Sequence, residues 1–598
     1  MLSIIYVLSV LSIICMLLFL PKSKDRQEVI IWLPICYIIY ECLITLAASV
    51  FTILHIPANL ISLGFMNIVI SIAGLIWIKR TGNIQKYYFK LENLIFFLLL
   101  AVTVILAGYE IYGKDFQIRF ETSDPASHLK IAMDTVNSQS VITTMSTMFL
   151  TPFTNGVFIR ILSPIFSGTD SYKSFIIKEL ISFGLSGAVF YSVVHKHLRT
   201  FSAKLFGMVI TFFYLFGYPY NNLLFGFSYL GLSVTVIMCL IFITDIFLES
   251  EEKNQIVLCF MSLVCFGVAE CYTIFAPFVY IGIFICVAYK VKKETGCLVT
   301  SKRFYMDELK VFLLPTLLTI WFVIIYPRFI GSELLIGNDY GLVLTFEGYT
   351  YRNLYSDFLV FFPFALYGIC RQKKEKKIYA NSFVFFTLFA YIVIFFCSMH
   401  YGAISSYYYY KLNYVVWMLL LSLFIEGIRG IYSHAKGLVL FYCGCWGIVF
   451  LLWFTQWDMK LYEKNVLFNP LPNANSCYEI YNFNRAIRKQ KTTVSPGLVQ
   501  LCREVDMNYR DGDQVIMYLG NWLDNYWYEA LTNQRQSAYC TYDPIGFTQN
   551  FINGTYGDYL VVAKDDASLE SCYLLIQDCE VLYENDYGVI IKREKESQ

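Results

Sequence analysis

Long apolar runs recur along the first three quarters of the chain, and they constrain its fold more than any other feature. A helix needs about 20 mostly apolar residues to cross a hydrocarbon layer of about 30 Å. Because lipid offers no hydrogen-bond partners, the backbone of such runs must be helical. We therefore predict a polytopic α-helical membrane protein with about 12–14 spans. The predicted spans are 2–20, 29–49, 60–78, 94–112, 174–194, 205–219, 227–248, 255–269, 272–289, 309–326, 357–370, 378–397, 411–428 and 437–456.

The composition agrees with a membrane protein. The chain is 57% hydrophobic and only 15% charged, whereas soluble domains carry about 25% charged residues. The net charge is +1, and no basic patch interleaved with aromatic residues indicates a nucleic-acid partner. The first apolar run has no basic segment before it and no small-residue cleavage site after it, so we interpret it as a retained span.

Lysine and arginine fall in alternate loops, which predicts the orientation of the spans. Loops that are rich in these residues face the cytoplasm, so both termini, the 114–173 loop and the 457–598 tail are predicted to be extracytoplasmic in a multi-pass protein of the cell membrane. We predict a transmembrane bundle over 1–456 and a separate domain over 457–598. The basic clusters lie at 22–26, 79–90, 196–204, 290–303, 371–377 and 429–436.

The 114–173 loop is predicted to have helices of its own. VITTMSTMFL and TPFTNGVFIRILSPIF predict short amphipathic helices broken at Pro152 and Pro164. Helices of this kind lie in the membrane interface. Periodicity alone leaves open whether one of them is a re-entrant or a true span.

The tail alternates strand-like and helix-like segments. The runs 514–520, 558–564 and 580–593 have strand patterns, and DNYWYEALT has a helical pattern between the first two. This order predicts a small α/β domain with a partly parallel sheet. No phosphate-binding glycine loop is present, so we interpret the tail as a recognition or support domain.

The segment ETSDPASHLKIAMD brings the first ionisable cluster to the end of a predicted span. Asp124 followed by Pro125 is also an ordinary helix start. Glu121 lies three residues before Asp124. His128 lies on the same helix face as Asp124. Ionisable groups beside lipid are a functional hypothesis by default. Glu121, Asp124 and His128 also form a candidate site for a divalent cation such as Mg²⁺ or Mn²⁺.

This arrangement resembles the bacterial GT-C class of membrane glycosyltransferases. The shared features are many spans, an acidic pair in the first large external loop, interfacial helices and an external C-terminal domain. The resemblance implies transfer of a sugar from a polyprenyl-phosphate carrier to a glycan, lipid or protein acceptor in the cell envelope, as in polysaccharide biosynthesis. It places Asp124 at the family's catalytic carboxylate and Glu121 at its partner. The family's pair is often separated by one residue, and here the separation is two.

Glycosyl transfer from a lipid phosphate needs a base for the acceptor hydroxyl and positive charge for the departing phosphate. The predicted outer loops are nearly bare of cations, so Lys411, Arg328 and Arg352 are the candidates for binding the lipid phosphate. Each would serve equally as an interfacial anchor. Glu270 is a further candidate, with a polar turn between paired helices as the alternative.

Two other functions stay open. A transporter or flippase for lipid-linked sugars would also need many spans, with internal symmetry and broken helices near the midplane. A non-catalytic scaffold for surface polysaccharide assembly would use the tail as a binding module. The positions of Glu121, Asp124 and the outer basic residues separate the three functions. One cavity that opens toward both lipid and the outside favours a transferase, a channel through the bundle favours transport, and scattered positions favour a scaffold.

Overall fold

The computed structural model describes most of the bundle and most of the folded tail. The described residues are 1–20, 27–81, 84–120, 122–141, 148–196, 198, 200–250, 255–298, 300–325, 358, 360–375, 377–401, 406–432, 434–454, 480, 484, 487–488, 493–509, 514–518, 522–534, 543–564 and 570–593.

The bundle is helical, as predicted. Each of the fourteen predicted spans overlaps at least one helix, and ten helical stretches of the described chain are long and apolar enough to cross a membrane. A two-residue parallel ribbon joins β1 (Gln27–Glu28) to β2 (Tyr87–Tyr88). The helices are α1 Leu2–Phe19, α2 Val29–Ile53, α3 Leu60–Thr81, α4 Leu91–Tyr112, α5 Asp124–Ser138, α6 Leu150–Leu162, α7 Ser171–His195, α8 Phe201–Phe216, α9 Tyr218–Phe225, α10 Ser228–Glu249, α11 Gln255–Cys271, α12 Ala276–Thr295, α13 Lys302–Ile320, α14 Phe362–Lys374, α15 Ala380–His400, α16 Ser406–Lys411, α17 Asn413–Tyr432 and α18 Lys436–Phe454.

Helices α2, α7, α10 and α17 form the centre of the bundle, and α1, α3, α4 and α15 lie at its periphery. The peripheral helices expose large apolar side chains such as Phe65 and Leu106, as expected for a surface solvated by lipid. In the centre, Lys178 of α7 forms a buried ion pair with Glu41 of α2. A charge at this depth requires such a partner.

Helices α5 and α6 form a hairpin that packs against the bundle. They approach closely because α6 has Gly156 at the contact, where a Cβ atom would lie 2.7 Å from the carbonyl oxygen of Ala132. The break predicted at Pro152 is wrong. Pro152 lies in the first turn of α6, where its missing N–H costs no helical hydrogen bond. The helix ends at Leu162, shortly before Pro164.

The tail forms the predicted α/β domain. Its sheet has the order β3-β4-β6-β5, with β3 parallel to β4 and the other pairs antiparallel. The final turn uses Asn585, whose side chain accepts hydrogen bonds from the N–H groups of Tyr587 and Gly588. The predicted boundary between 456 and 457 lies outside the described residues. The elements are α19 Pro496–Asn508, β3 Val515–Tyr518, α20 Trp522–Thr532, α21 Pro544–Ile552, β4 Tyr559–Ala563, α22 Glu570–Ile576, β5 Glu580–Glu584 and β6 Gly588–Lys592.

Alternate residues of the sheet face two different cores, as the period of two in a strand requires. Val515 and Met517 face α19 and α20, and their core is continuous with that of the bundle. Ile516 and Tyr518 face α21 and α22 in a second, smaller core. The sheet therefore lies between two helical layers, and the inner layer joins the tail to the bundle.

The tail holds the 114–173 loop directly. Phe120 stacks on Trp527 of α20, with 5.9 Å between the ring centroids. Lys130 of α5 forms an ion pair with Glu529 of α20. A third contact joins Arg503 of α19 to Asp170, with 3.0 Å between nitrogen and oxygen. Helix α5, which begins at Asp124, is thus packed between the bundle and the tail.

Candidate active site

Asp124 begins helix α5, and Pro125 occupies the first turn, where proline is well tolerated. A carboxylate at a helix N-terminus is stabilised in its ionised form. The N-terminus is seated on the connection between α9 and α10. Gly226 there has φ +70°, and a side chain at this position would overlap the ring of Pro125. The hydroxyl of Thr122 also donates to the carbonyl oxygen of Phe225 at 3.3 Å.

His128 lies one turn after Asp124 on the same helix. Its ring is half-buried and contacts the ring of Tyr229 in α10, with 5.1 Å between centroids. Burial lowers the pKa of His128 from its ordinary value, the negative charge of Asp124 raises it, and the positive charge of Lys411 lowers it again. The imidazole is therefore held neutral between a carboxylate and an ammonium group.

Lys411, the last residue of α16, is almost fully buried, with 3% of its surface exposed. Its Nζ atom donates to the hydroxyl of Tyr229 at 2.9 Å. The ammonium group also lies over the rings of Tyr229 and Tyr272, at 5.1 and 5.2 Å from the two centroids. Aromatic faces stabilise a cation, but these rings carry no full negative charge. The negative charge of Asp124 also acts on Lys411, so the carboxylate and the ammonium group belong to one site.

A second layer of contacts fixes the two tyrosines. The Sγ atom of Cys271 lies 3.8 Å from the carbonyl oxygen of Tyr229 and 3.6 Å from the hydroxyl of Thr151 in α6. The rings of Tyr229 and Tyr272 are 5.7 Å apart. Helices α6, α10 and α11 therefore meet behind the ammonium group, and the position of Lys411 depends on all three.

An apolar cavity of about 230 Å³ reaches α16, the helix that ends at Lys411. It lies between α14, α15 and α17, and Tyr409, two residues before Lys411, is part of its wall. Its lining offers almost only carbon, apart from Tyr409 and Asn413. Such a cavity fits a hydrocarbon chain. The lining residues are Phe358, Phe362, Phe385, Leu388, Phe389, Ile392, Tyr409, Asn413, Val416 and Leu420.

The structure brings together three of the predicted site residues, Asp124, His128 and Lys411. Glu121, Arg328 and Arg352 lie outside the described residues, so their roles stay predictions. Glu270 is buried in the last turn of α11. Within the described part of the chain, no hydrogen bond or ion pair joins Glu270 to the other three residues.

No group of three His, Cys, Asp or Glu side chains among the described residues is arranged to hold a metal ion. Asp124 and His128 supply two of the three ligands of the predicted Mg²⁺ or Mn²⁺ site, and Glu121 lies outside the described chain. The nearby ammonium of Lys411 would repel a divalent cation at these two ligands.

Tyr229 and Tyr272 were not among the predicted site residues. Both lie at the starts of predicted spans, 227–248 and 272–289, where tyrosine is common at a membrane interface. Nothing local in the sequence separates them from the other tyrosines, because their role depends on contacts with Lys411, 182 residues after Tyr229. Only the packing of α10 and α11 against α16 reveals it.

No protein-family model and no curated protein sequence matches the chain. Among solved structures, the chain is similar to that described as the crystal structure of ArnT from Cupriavidus metallidurans bound to undecaprenyl phosphate. The alignment covers 83% of this chain and 97% of the ArnT chain, with 12% sequence identity and a TM-score of 0.46.

Proposed function

We propose that this multi-pass membrane protein is a glycosyltransferase that moves one sugar from a polyprenyl-phosphate donor to an acceptor hydroxyl. One observation carries the proposal: a carboxylate, an imidazole and a buried ammonium group share one site beside an apolar cavity. The acceptor would be a cell-surface glycan, a lipid or a protein on the extracytoplasmic side, in line with the predicted orientation.

Lys411 is proposed to bind the phosphate of the donor. A buried ammonium group is costly to desolvate, and an opposite charge offsets this cost. The phosphate would bring negative charge in addition to that of Asp124, and it gains more as the sugar departs. A preorganised cation stabilises such developing charge without reorganisation of solvent. Tyr229 and Tyr272 would keep the ammonium group in place between turnovers.

Asp124 is proposed to act as the base. Its carboxylate would take the proton of the acceptor hydroxyl while the hydroxyl oxygen attacks the anomeric carbon of the sugar. The bond between that carbon and the phosphate oxygen breaks, and its electron pair stays on the phosphate, beside Lys411. Attack opposite to the leaving phosphate inverts the anomeric configuration. Glu121 would assist Asp124, and Arg328 and Arg352 remain further phosphate-binding candidates.

His128 is proposed to orient the donor. A neutral imidazole has one donor and one acceptor nitrogen, and it lies between the proposed base and the proposed phosphate ligand. The isoprenoid chain would occupy the apolar cavity that begins at Tyr409. The isoprenoid chain would then lie in a carbon-lined space, and its phosphate would bind at Lys411, two residues after Tyr409.

The decisive experiment replaces Asp124 in the native host. A strain without the gene is complemented with the wild-type protein, with Asp124→Asn or with Asp134→Asn, and surface glycans are compared by mass spectrometry. Asp134 is a matched control because it is half-buried on the same helix but is not part of the cluster. We expect Asp124→Asn to lose the glycan modification and Asp134→Asn to keep it, at equal protein levels in the membrane.

Full modification by Asp124→Asn would refute the assignment of the base. The same membranes, assayed with and without EDTA, test the predicted metal site. We expect transfer to continue in EDTA because Lys411 supplies the positive charge. Loss of transfer in EDTA, restored by Mg²⁺ or Mn²⁺, would instead support a metal held by Glu121, Asp124 and His128.

A further inference from the structure

A second cavity, of about 760 Å³, lies at the opposite end of the bundle from Asp124. Its walls come from the segment after α7, the start of α8, the ends of α10, α14 and α17, the loop after α14 and the start of α18. These segments belong to the basic loops that predict the cytoplasmic side. The site shares no residue with the Asp124 cluster, so it is independent of the proposed transfer reaction.

The polar wall of this cavity carries four basic side chains, from Lys196, Arg371, Lys377 and Arg429. Three of them are paired with carboxylates. Lys196 lies 2.9 Å from Glu249, Arg371 donates to Glu375 at 2.6 Å, and Arg429 lies 3.2 Å from Glu426. Lys377 has no acidic partner among the described residues, so the wall keeps an excess of positive charge.

Arg371 has one hydrogen-bond donor that no described residue engages. This donor is the Nη1 atom, which is buried. The guanidinium group lies across α17 at Gly430, where a Cβ atom would be 2.8 Å from the Cδ atom of Arg371. The Nη1 nitrogen packs against α17 at Gly430, whereas 26% of the Arg371 side chain is exposed. A ligand oxygen in the cavity would meet the exposed part of the guanidinium group.

The opposite wall is apolar and reaches the lipid-facing surface. Ile425, Ile428 and Val439 line it, and Leu440, also in the lining, is exposed on the outside of α18. On α8 the neighbouring Leu205 is exposed as well. The cavity therefore opens between α8 and α18 toward the surface where acyl chains would lie.

We propose that this cavity binds one anionic phospholipid. Its phosphate would accept hydrogen bonds from Arg371 and pair with Lys377, and one acyl chain would follow the apolar wall formed by α17 and α18. Basic pockets between spans on the cytoplasmic side are suited to anionic headgroups. Arginine matches phosphate with two parallel donors.

The test uses the purified full-length protein in detergent and a fluorescent phosphatidylglycerol analogue as the probe. A phosphatidylcholine analogue with the same chains and inorganic pyrophosphate serve as competitors. We expect saturable binding of phosphatidylglycerol that phosphatidylcholine and pyrophosphate displace poorly. Arg371→Gln combined with Lys377→Gln should weaken binding at least about tenfold, the order expected for the loss of a charge-assisted hydrogen bond.

Lys374→Gln is the matched control, because Lys374 is exposed on the same helix and does not line the cavity. It should bind like the wild type. Cys443→Trp fills the apolar wall without a change of charge, and it should weaken lipid binding even if the Arg371 variant fails to fold. Equal affinity for both lipids, or wild-type affinity in Lys377→Gln and Cys443→Trp, would overturn the proposal. Complete displacement by pyrophosphate would also overturn it, in favour of a soluble anion.

Discussion

At the scale of single residues, Lys411 has a charge that folding alone does not require. Burial of an ammonium group costs free energy, and replacement of a buried charge by an apolar group of similar volume is often neutral or stabilising. Replacement of a residue that the fold requires lowers the stability of the protein. Replacement of a residue that the reaction requires lowers the rate of transfer instead.

We therefore expect Lys411→Met to reduce transfer at least about 100-fold, the usual order for the loss of one group that stabilises developing negative charge. Its thermal unfolding midpoint should stay equal to that of the wild type or rise. Lys411→Arg, which keeps the charge, should recover part of the rate. The measurements are kcat and KM for the donor lipid and an unfolding curve in detergent. A large fall in the midpoint at an unchanged rate would assign Lys411 to the fold.

His128 makes stability depend on pH. Its pKa is lower in the folded protein than in the unfolded chain because of burial beside Tyr229 and Lys411, with Asp124 opposing. The unfolded chain then binds the proton more readily, so stability is lost as the pH falls below the ordinary histidine pKa of about 6.5.

His128→Gln should lose less stability than the wild type between pH 7.5 and 5, in about the range where an ordinary histidine titrates. The comparison is the unfolding midpoint of the two proteins at each pH. His434→Gln is the control because the side chain of His434 is exposed. Parallel curves for His128→Gln and the wild type would show that the imidazole titrates as it does in the unfolded chain.

At the scale of elements, the position of Asp124 depends on the close approach of α5 and α6. Gly156→Ala would place a Cβ atom 2.5 Å from the Thr135 hydroxyl and 2.7 Å from the backbone oxygen of Ala132. Backbone atoms yield little, so α5 and α6 must separate. Overpacking of this kind costs about 1–3 kcal/mol, and we expect a lower unfolding midpoint together with a reduced rate of transfer.

Gly444→Ala provides the comparison, because a Cβ atom at Gly444 meets no other atom within 4 Å. Both substitutions add one methyl group inside a helix, so their difference isolates the contact between α5 and α6. Equal midpoints for the two variants would contradict the packing.

Hydropathy and periodicity are local signals, and they predicted the elements well. Helices lie at all fourteen predicted spans, ten helical stretches of the described chain are long and apolar enough to cross a membrane, and the strands around 514–520 and 558–564 are confirmed, because each depends on side chains within one segment. The break at Pro152 was wrong because the effect of proline depends on its position in the helix. In the site, the pairing of Asp124 with His128 follows from their spacing of one turn. Tyr229 could not be predicted, since its role arises from a distant segment, and the candidate role of Glu270 stays a prediction.

At the scale of the whole molecule, the tail supports the proposed active-site loop. Trp527 is almost fully buried and stacks on Phe120, four residues before Asp124. Trp527→Ala should cost about 3–5 kcal/mol in this contact. We expect the tail to become more sensitive to protease and the rate of transfer to fall, while the bundle remains in the membrane.

Val581→Ala is the control for Trp527→Ala, because Val581 lies on an exposed strand of the same domain. It should change neither protease sensitivity nor transfer. Full activity in Trp527→Ala, with a protease-sensitive tail, would show that the tail acts on something other than the loop.

Helix α17 touches both candidate sites. It begins two residues after Lys411 and reaches Arg429 near its other end, and its 20 residues measure about 30 Å at a rise of 1.5 Å per residue. That length equals the hydrocarbon thickness of an ordinary bilayer. In a bilayer that α17 crosses, the two sites would lie near the two headgroup planes. A much thicker membrane would move its headgroups away from one site or both. We therefore expect occupancy of the two sites to depend on the thickness of the surrounding bilayer.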